Sequence, residues 1–194
     1  MGFLSILSYA HKLIEERVTP GETVVDATAG NGVDTLFLAK LVGAKGTVYA
    51  FDIQEQALEK TQQRLAKERP DYSHVRLLLC SHDQLKNKLP VTEHGAVGAV
   101  MFNLGYLPGD DHHTVTSETS TIPALQQAAE LLRKSGILTI ALYTGHEGGE
   151  KEAQAVREWV ERLPQQQFQV LEYRFINQKN HPPYLIAVEK RSSD

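Results

Sequence analysis

The stretch Thr23-Val24-Val25-Asp26-Ala27-Thr28-Ala29-Gly30-Asn31-Gly32-Val33-Asp34-Thr35 decides the fold. Its first part, TVVDAT (23–28), is rich in β-branched residues and carries an acidic side chain near its end, so it reads as a strand. A glycine-rich turn follows, and Val33 to Val42 then carries a helical pattern. Strand, glycine turn and helix open a βαβ unit. The alternation continues downstream. TVYAFD (47–52) reads as a second strand, Glu55 to Glu68 as a helix halted before Pro70, VRLLLC (75–80) as a third strand and AVGAVMFN (96–103) as a fourth. Ile122, Leu125, Ala129 and Leu132 mark a helix that stops near Gly136. GILTIALY (136–143) gives a fifth strand, and Ala153, Val156, Val160 and Leu163 a helix with Pro164 beyond it. FQVLEYRFI (168–176) and YLIAVEK (184–190) are two last strands with no helix between them. Upstream, Phe3, Ile6, Leu7, Ala10, Leu13 and Ile14 form one apolar stripe on a helix closed by Thr19-Pro20-Gly21.

This order predicts one α/β domain over residues 1–194. Its core is a Rossmann-like, doubly wound seven-stranded sheet, mostly parallel, covered by helices on both faces, with an antiparallel pair at one edge. A chain of 194 residues, 41% hydrophobic and 23% charged, can bury a sizeable core. Cys80 is the sole cysteine, which excludes an internal disulfide and a cysteine-built zinc site; the default compartment is cytoplasmic. On its apolar run, Cys80 reads as a small core residue. No apolar run reaches the roughly 18 residues of a membrane span, and Lys12, Glu15, Glu16 and Arg17 interrupt the first helix, so neither a signal peptide nor a membrane association is expected. A net charge of −4 argues against a dominant, charge-driven grip on long nucleic acid, but leaves room for a local basic patch. Lys12, Arg174, Lys179, Lys190 and Arg191 are candidates for one. No pattern defines an interface; a homodimer is one assembly compatible with a small α/β enzyme.

The loop after the first strand carries the chemistry. Gly30 and Gly32 allow a tight strand-to-helix turn and a close ligand approach. Asp52, at the end of the second strand, suits both hydroxyls of a ribose. Together they describe an adenosine-type ligand across the carboxyl ends of the strands. A dinucleotide site prefers a third glycine and a pyrophosphate on the helix N-terminus. Here Thr35 occupies the third glycine position, and Asp34 in the first helical turn would repel a pyrophosphate. S-adenosylmethionine has no phosphate, and acidic groups at Asp26 and Asp34 suit its positive end. Ser81-His82-Asp83 closes the third strand and offers polar groups to the adenine edge. The plainer alternatives are that Asp34 caps a helix and Asp83 turns the chain.

The fourth strand runs into Asn103-Leu104-Gly105-Tyr106-Leu107-Pro108-Gly109-Asp110, which borders the same crevice. Asn, two residues, then an aromatic resembles the Asn-Pro-Pro-Tyr loop of amino-directed methyltransferases. An Asn oxygen can accept from an acceptor amine and orient its lone pair, and an aromatic ring can stack on a planar base. The alternative is an ordinary Gly-Pro turn with a buried tyrosine. His112 and His113 follow in a polar stretch; adjacent histidines are not metal-spaced, and no metal site is expected.

The segments DATAGNGVDT (26–35), YAFDIQ (49–54) and NLGYLPGDDHH (103–113) together resemble the YtqB-like proteins, known as rRNA methylases and as the MnmM tRNA methyltransferases. The resemblance runs over essentially the whole chain and departs at Asp110, where a second glycine is expected. It implies the class I S-adenosylmethionine-dependent methyltransferase fold. The implied reaction is methylation of the exocyclic amine of 5-aminomethyl-(2-thio)uridine at the wobble position of tRNA. It places cofactor contacts on Asn31, Asp34, Asp52, Gln54 and His82, with Gly30 and Gly32 shaping the loop. The residues themselves add Asp26, Thr28 and Ser81 to the cofactor side and assign Asn103 and Tyr106 to catalysis. His112, Arg174 and Lys179 are taken to the tRNA anticodon region. Methylation of a small-molecule or protein amine, or of rRNA, is the alternative activity, and a non-catalytic adenosine-binding module the alternative class.

Overall fold

A computed structural model describes residues 2–68, 71–105 and 115–191. The first half runs α1 (Ile6–Glu15), β1 (Thr23–Asp26), α2 (Val33–Val42), β2 (Thr47–Asp52), α3 (Glu55–Glu68) and β3 (Val75–Leu79). Two short 3-10 turns, His82–Gln84 and Val91–Glu93, then flank α4 (Leu85–Lys88). The second half is β4 (Val97–Leu104), α5 (Glu118–Leu131), β5 (Leu132–Leu142), α6 (Gly149–Glu161), β6 (Phe168–Tyr173) and β7 (Tyr184–Lys190).

The seven strands form one sheet in the order β3-β2-β1-β4-β5-β7-β6. β7 runs antiparallel to both β5 and β6, and the other pairings are parallel. The inner strands β1, β4 and β7 and most of β5 are buried on both faces, which is why they read as continuous apolar runs, while the edge strands β3 and β6 are largely half-buried or exposed. Along β5, Leu138, Ile140 and Leu142 enter the core beneath α4, α5 and α6, while Ile137 and Ala141 enter the core beneath α1, α2 and α3. Phe51 and Phe102 are fully enclosed on the first of these faces, each contributing roughly 1.5–3 kcal/mol by leaving water. α1 begins where the Ser5 hydroxyl accepts from the Ser8 amide at 3.1 Å, and it buries Ile6, Ala10, Leu13 and Ile14. Strand order reverses between β1 and β4, the switch point where a crevice opens at the carboxyl ends.

Three boundaries differ from the sequence expectation. β5 begins at Leu132 rather than at Gly136, because Leu132 pairs with Val97 before the ladder slips and resumes at Ala99–Ile137. Ser135, at φ 60°, and Gly136 turn the chain between those two pairings. α5 starts at Glu118, upstream of Pro123. The carbonyl whose bond Pro123 cannot make is that of exposed Thr119, where water can serve it. β6 ends at Tyr173, so Arg174 to Ile176 lie beyond the sheet.

Candidate active site: a cofactor crevice and an acceptor strand end

The loop from Ala27 to Gly32 is held from below and from the side. Asp26 is completely buried at the end of β1. Its carboxylate accepts from the Thr28 amide at 3.1 Å and from the Thr35 hydroxyl at 2.6 Å. Burial first, and the neighbouring Asp34 charge second, push its pKa up to about 7. Gly32 adopts φ 76° as the residue before α2, and a Cβ there would lie 2.8 Å from Thr61 Cα. α3 is packed that closely because the Thr61 hydroxyl donates to the Gly30 carbonyl at 3.2 Å and Arg64 Nε to the Asn31 carbonyl at 2.7 Å.

Asp52, at the end of β2, accepts the Gly30 amide on Oδ2 and the Gln54 amide on Oδ1, both at 2.9 Å. Each oxygen keeps a lone pair for a further donor. Gln54 Oε1 and His82 Nε2, near the ends of β2 and β3, are buried and have no partner within the protein. Buried polar atoms are normally satisfied, so a polar ligand at these strand ends would complete them. His82 lies 5.5 Å from the Phe102 ring, and burial depresses its pKa, favouring neutral imidazole. Ser81 caps the turn that presents it. A carboxylate for a ribose, orphaned polar atoms for an adenine and acidic groups for a sulfonium and ammonium fit S-adenosylmethionine.

Asn103 stands at the end of β4 across the switch point. Its backbone amide donates to the Thr28 hydroxyl at 2.8 Å, joining the loop after β1 to β4. Its side-chain Nδ2 donates to Asp34 Oδ2 at 2.6 Å, and Asp34 Oδ1 meets His11 Nε2, also at 2.6 Å. Asp34 is therefore more than the helix cap that the plainer reading made of it. The described chain leaves at Gly105 and returns at Val115, and the Thr116 amide donates to the Gly105 carbonyl at 3.0 Å. Tyr106, His112 and His113 lie outside the described residues.

Sequence reasoning missed several neighbours. The α6 residue Glu152 is buried and accepts the hydroxyls of Thr116 at 2.7 Å and Thr121 at 2.6 Å; burial raises its pKa. Its spacing to Val156 and Val160 puts a carboxylate on the apolar face of α6, a signal that could have found it. Tyr143, at the end of β5, has its pKa raised by burial and then by the Asp34 charge. His11 carries no such signal. Among the described residues, no group of three or more His, Cys, Asp or Glu is placed to hold a metal ion.

The basic candidates separate. Arg174 sits 4.6 Å over the Tyr184 ring, and Lys179 is exposed in the loop that follows it. Lys12 and Arg191 are exposed. Lys190 is a correction: its Nζ donates to the carbonyls of Ala129, Glu130 and Leu132 at 3.0, 3.3 and 2.8 Å. It caps the C-terminal end of α5, with its three donors on carbonyl oxygens.

Fold and crevice define a class I S-adenosylmethionine-dependent methyltransferase. The sequence model of a family described as "Putative rRNA methylase" matches residues 48–189. The chain is 35% identical over 191 residues to a chloroplastic tRNA (mnm(5)s(2)U34)-methyltransferase of Arabidopsis thaliana, covering 95% of this chain and 69% of that protein. A solved "putative rRNA-methylase" from Clostridium thermocellum superposes with TM-score 0.92 at 41% identity, over 98% of this chain and 100% of the other. A "putative methyltransferase" from Streptococcus mutans, solved in complex with SAH, gives TM-score 0.87 at 36% identity over 97% and 99% of the two chains. The chain belongs to this rRNA methylase family, in its MnmM-like branch. No helix among the described residues is long and apolar enough to cross a membrane.

Proposed function

We propose that the protein methylates the exocyclic amine of 5-aminomethyl-(2-thio)uridine at the wobble position of tRNA. The observation that carries this reading is the oriented amide of Asn103. Asp34 can only accept, so Asn103 turns its NH2 toward Asp34 and leaves Oδ1 to accept from an acceptor N–H. That bond aims the nitrogen lone pair. The Arabidopsis relative named for the same chemistry supports the choice of amine and nucleoside.

S-adenosylmethionine, when bound, supplies an electrophilic methyl on a sulfonium. The acceptor nitrogen gives up one proton to water first, because an alkylammonium has no lone pair; the freed lone pair then takes the methyl from the cofactor, which leaves as a neutral thioether. Asp52, Gln54, Asn31, Ser81 and His82 hold the nucleoside end of the cofactor. Asp34 attracts its positive end, and Asp26 and Thr28 keep the loop at Gly30 and Gly32 in shape. Asn103 and the backbone of its loop hold the amine, and Tyr106 is assigned to the base or to the methyl end of the cofactor. Catalysis is then chiefly positioning of two atoms about 3 Å apart. Arg174, Lys179 and His112 contact the anticodon region.

The test is methyl transfer from labelled cofactor to tRNA lacking the last wobble methylation, followed by nucleoside mass analysis. A methyl gain on aminomethyluridine is expected, and Asn103→Ala should bind cofactor while losing about ten- to a hundredfold in turnover, the worth of one strong hydrogen bond in the transition state. Transfer to rRNA alone, or full turnover in Asn103→Ala, would overturn the reading.

A further inference from the structure

We propose that His11 is a positioning residue for methyl transfer, fixing the Asn103 amide through Asp34; this rests on the function proposed above. An asparagine amide is nearly symmetric in shape, so its useful orientation depends on what faces it. Asp34 Oδ2 faces the amide at 2.6 Å, and Asp34 is only 5% exposed. A carboxylate with one bond can swing about its own Cβ–Cγ axis, and the amide would follow. The second bond, from His11 Nε2 to Oδ1 at 2.6 Å, removes that freedom. Because Asp34 accepts, Nε2 carries the proton.

The imidazole is itself held. It stacks on Phe37 with centroids 3.8 Å apart and planes 4° from parallel. Phe37 lies one turn beyond Asp34 on α2, so both contacts of the ring come from the same helix. α1, which delivers His11, packs across β5 and β7. A rigid support on one side of the crevice thus reaches the acceptor side through two short bonds. Positioning groups work when their own side chains are locked in this way.

Two substitutions separate the donor from the ring. His11→Phe keeps a planar ring for Phe37 and removes the donor. His11→Gln loses the ring but places an amide N–H at similar reach. His11→Phe should lower kcat about ten- to a hundredfold with KM for tRNA little changed, and His11→Gln should recover most of it. In an Asn103→Ala background, His11→Phe should cost less than about twofold more, since both act on one chain of bonds. A readout that needs no acceptor is the Asn103 side-chain amide resonance, identified by its loss in Asn103→Ala. It should move in His11→Phe and return in His11→Gln.

Unchanged kcat in His11→Phe would overturn the proposal. So would an unmoved amide resonance, a full additional loss in the Asn103→Ala background, or a His11→Gln protein as slow as His11→Phe. Wild-type protein inactive on tRNA would refute the proposed function alone, and the resonance measurements would still decide the part of His11.

Discussion

Replacing Gly32 by alanine tests the loop that shapes the cofactor crevice. The backbone there sits at φ 76°, where an L-residue with a Cβ costs about 1–2 kcal/mol. The new Cβ would also meet Thr61 Cα at 2.8 Å, Oγ1 at 2.9 Å and Cβ at 3.0 Å. One of those atoms is backbone, so α3 must move, and overpacking of this kind costs about 1–3 kcal/mol. The sum is about 2–5 kcal/mol, and at about 2–4 °C per kcal/mol for a domain of this size the midpoint should fall by about 4–20 °C. Moving α3 also strains the bonds from Thr61 to Gly30 and from Arg64 to Asn31. Cofactor affinity should therefore fall at least about tenfold, some 1.4 kcal/mol. Calorimetric melting and titration with S-adenosylmethionine measure both quantities. Adding Thr61→Ala removes the Oγ1 contact but not the backbone one, so it should restore less than half of the loss. A midpoint shift under about 2 °C with unchanged affinity would refute the reasoning, being below the smallest strain counted here.

Three further predictions concern charge. Asp26 ionises near 3.9 in an unfolded chain but near 7 when folded, because it is buried beside Asp34. Between these values the unfolded state gives up a proton that the folded state keeps, so this group withdraws stability as pH rises from about 4 to about 7, and fully above that. Asp26→Asn should gain in thermal midpoint relative to wild type between pH 5 and pH 8; a difference that does not vary with pH would contradict the assignment. Lys190→Met uncaps three carbonyls at the end of α5 and should lower stability by about 1–2 kcal/mol, while leaving the salt dependence of tRNA binding unchanged. Lys179→Ala should reduce that salt slope by about 1, and binding isotherms at several salt concentrations distinguish the two.

The sheet was readable because its strands are local objects. Each is a short apolar run bounded by turn residues, and the helices between them dictate a parallel, doubly wound order. The positions of Asp26, Gly30, Gly32, Asp52 and Asn103 were legible for the same reason, since each lies near a strand end or in the turn that leads into a helix. What escaped depends on distant contacts. His11 looks like one more position on an amphipathic helix until α1 is laid beside α2. Lys190 looks like a free cation until β7 brings it to the end of α5. The start of β5 escaped because Leu132 completes a helical stripe and a sheet pairing at once, and only its register with Val97 decides between them.

The bond between Gly105 and Thr116 bears on how such an enzyme can change over evolutionary time. It closes the intervening segment at its neck, and Glu152 secures the returning strand of chain through Thr116. Because that bond joins the two ends directly, the length of chain between them does not set the spacing of β4 and the approach to α5. Lengthening a closed loop is inexpensive, about 0.6 kcal/mol for each doubling. A relative in which this connection differs in length can therefore keep the half that binds the methyl donor as it is.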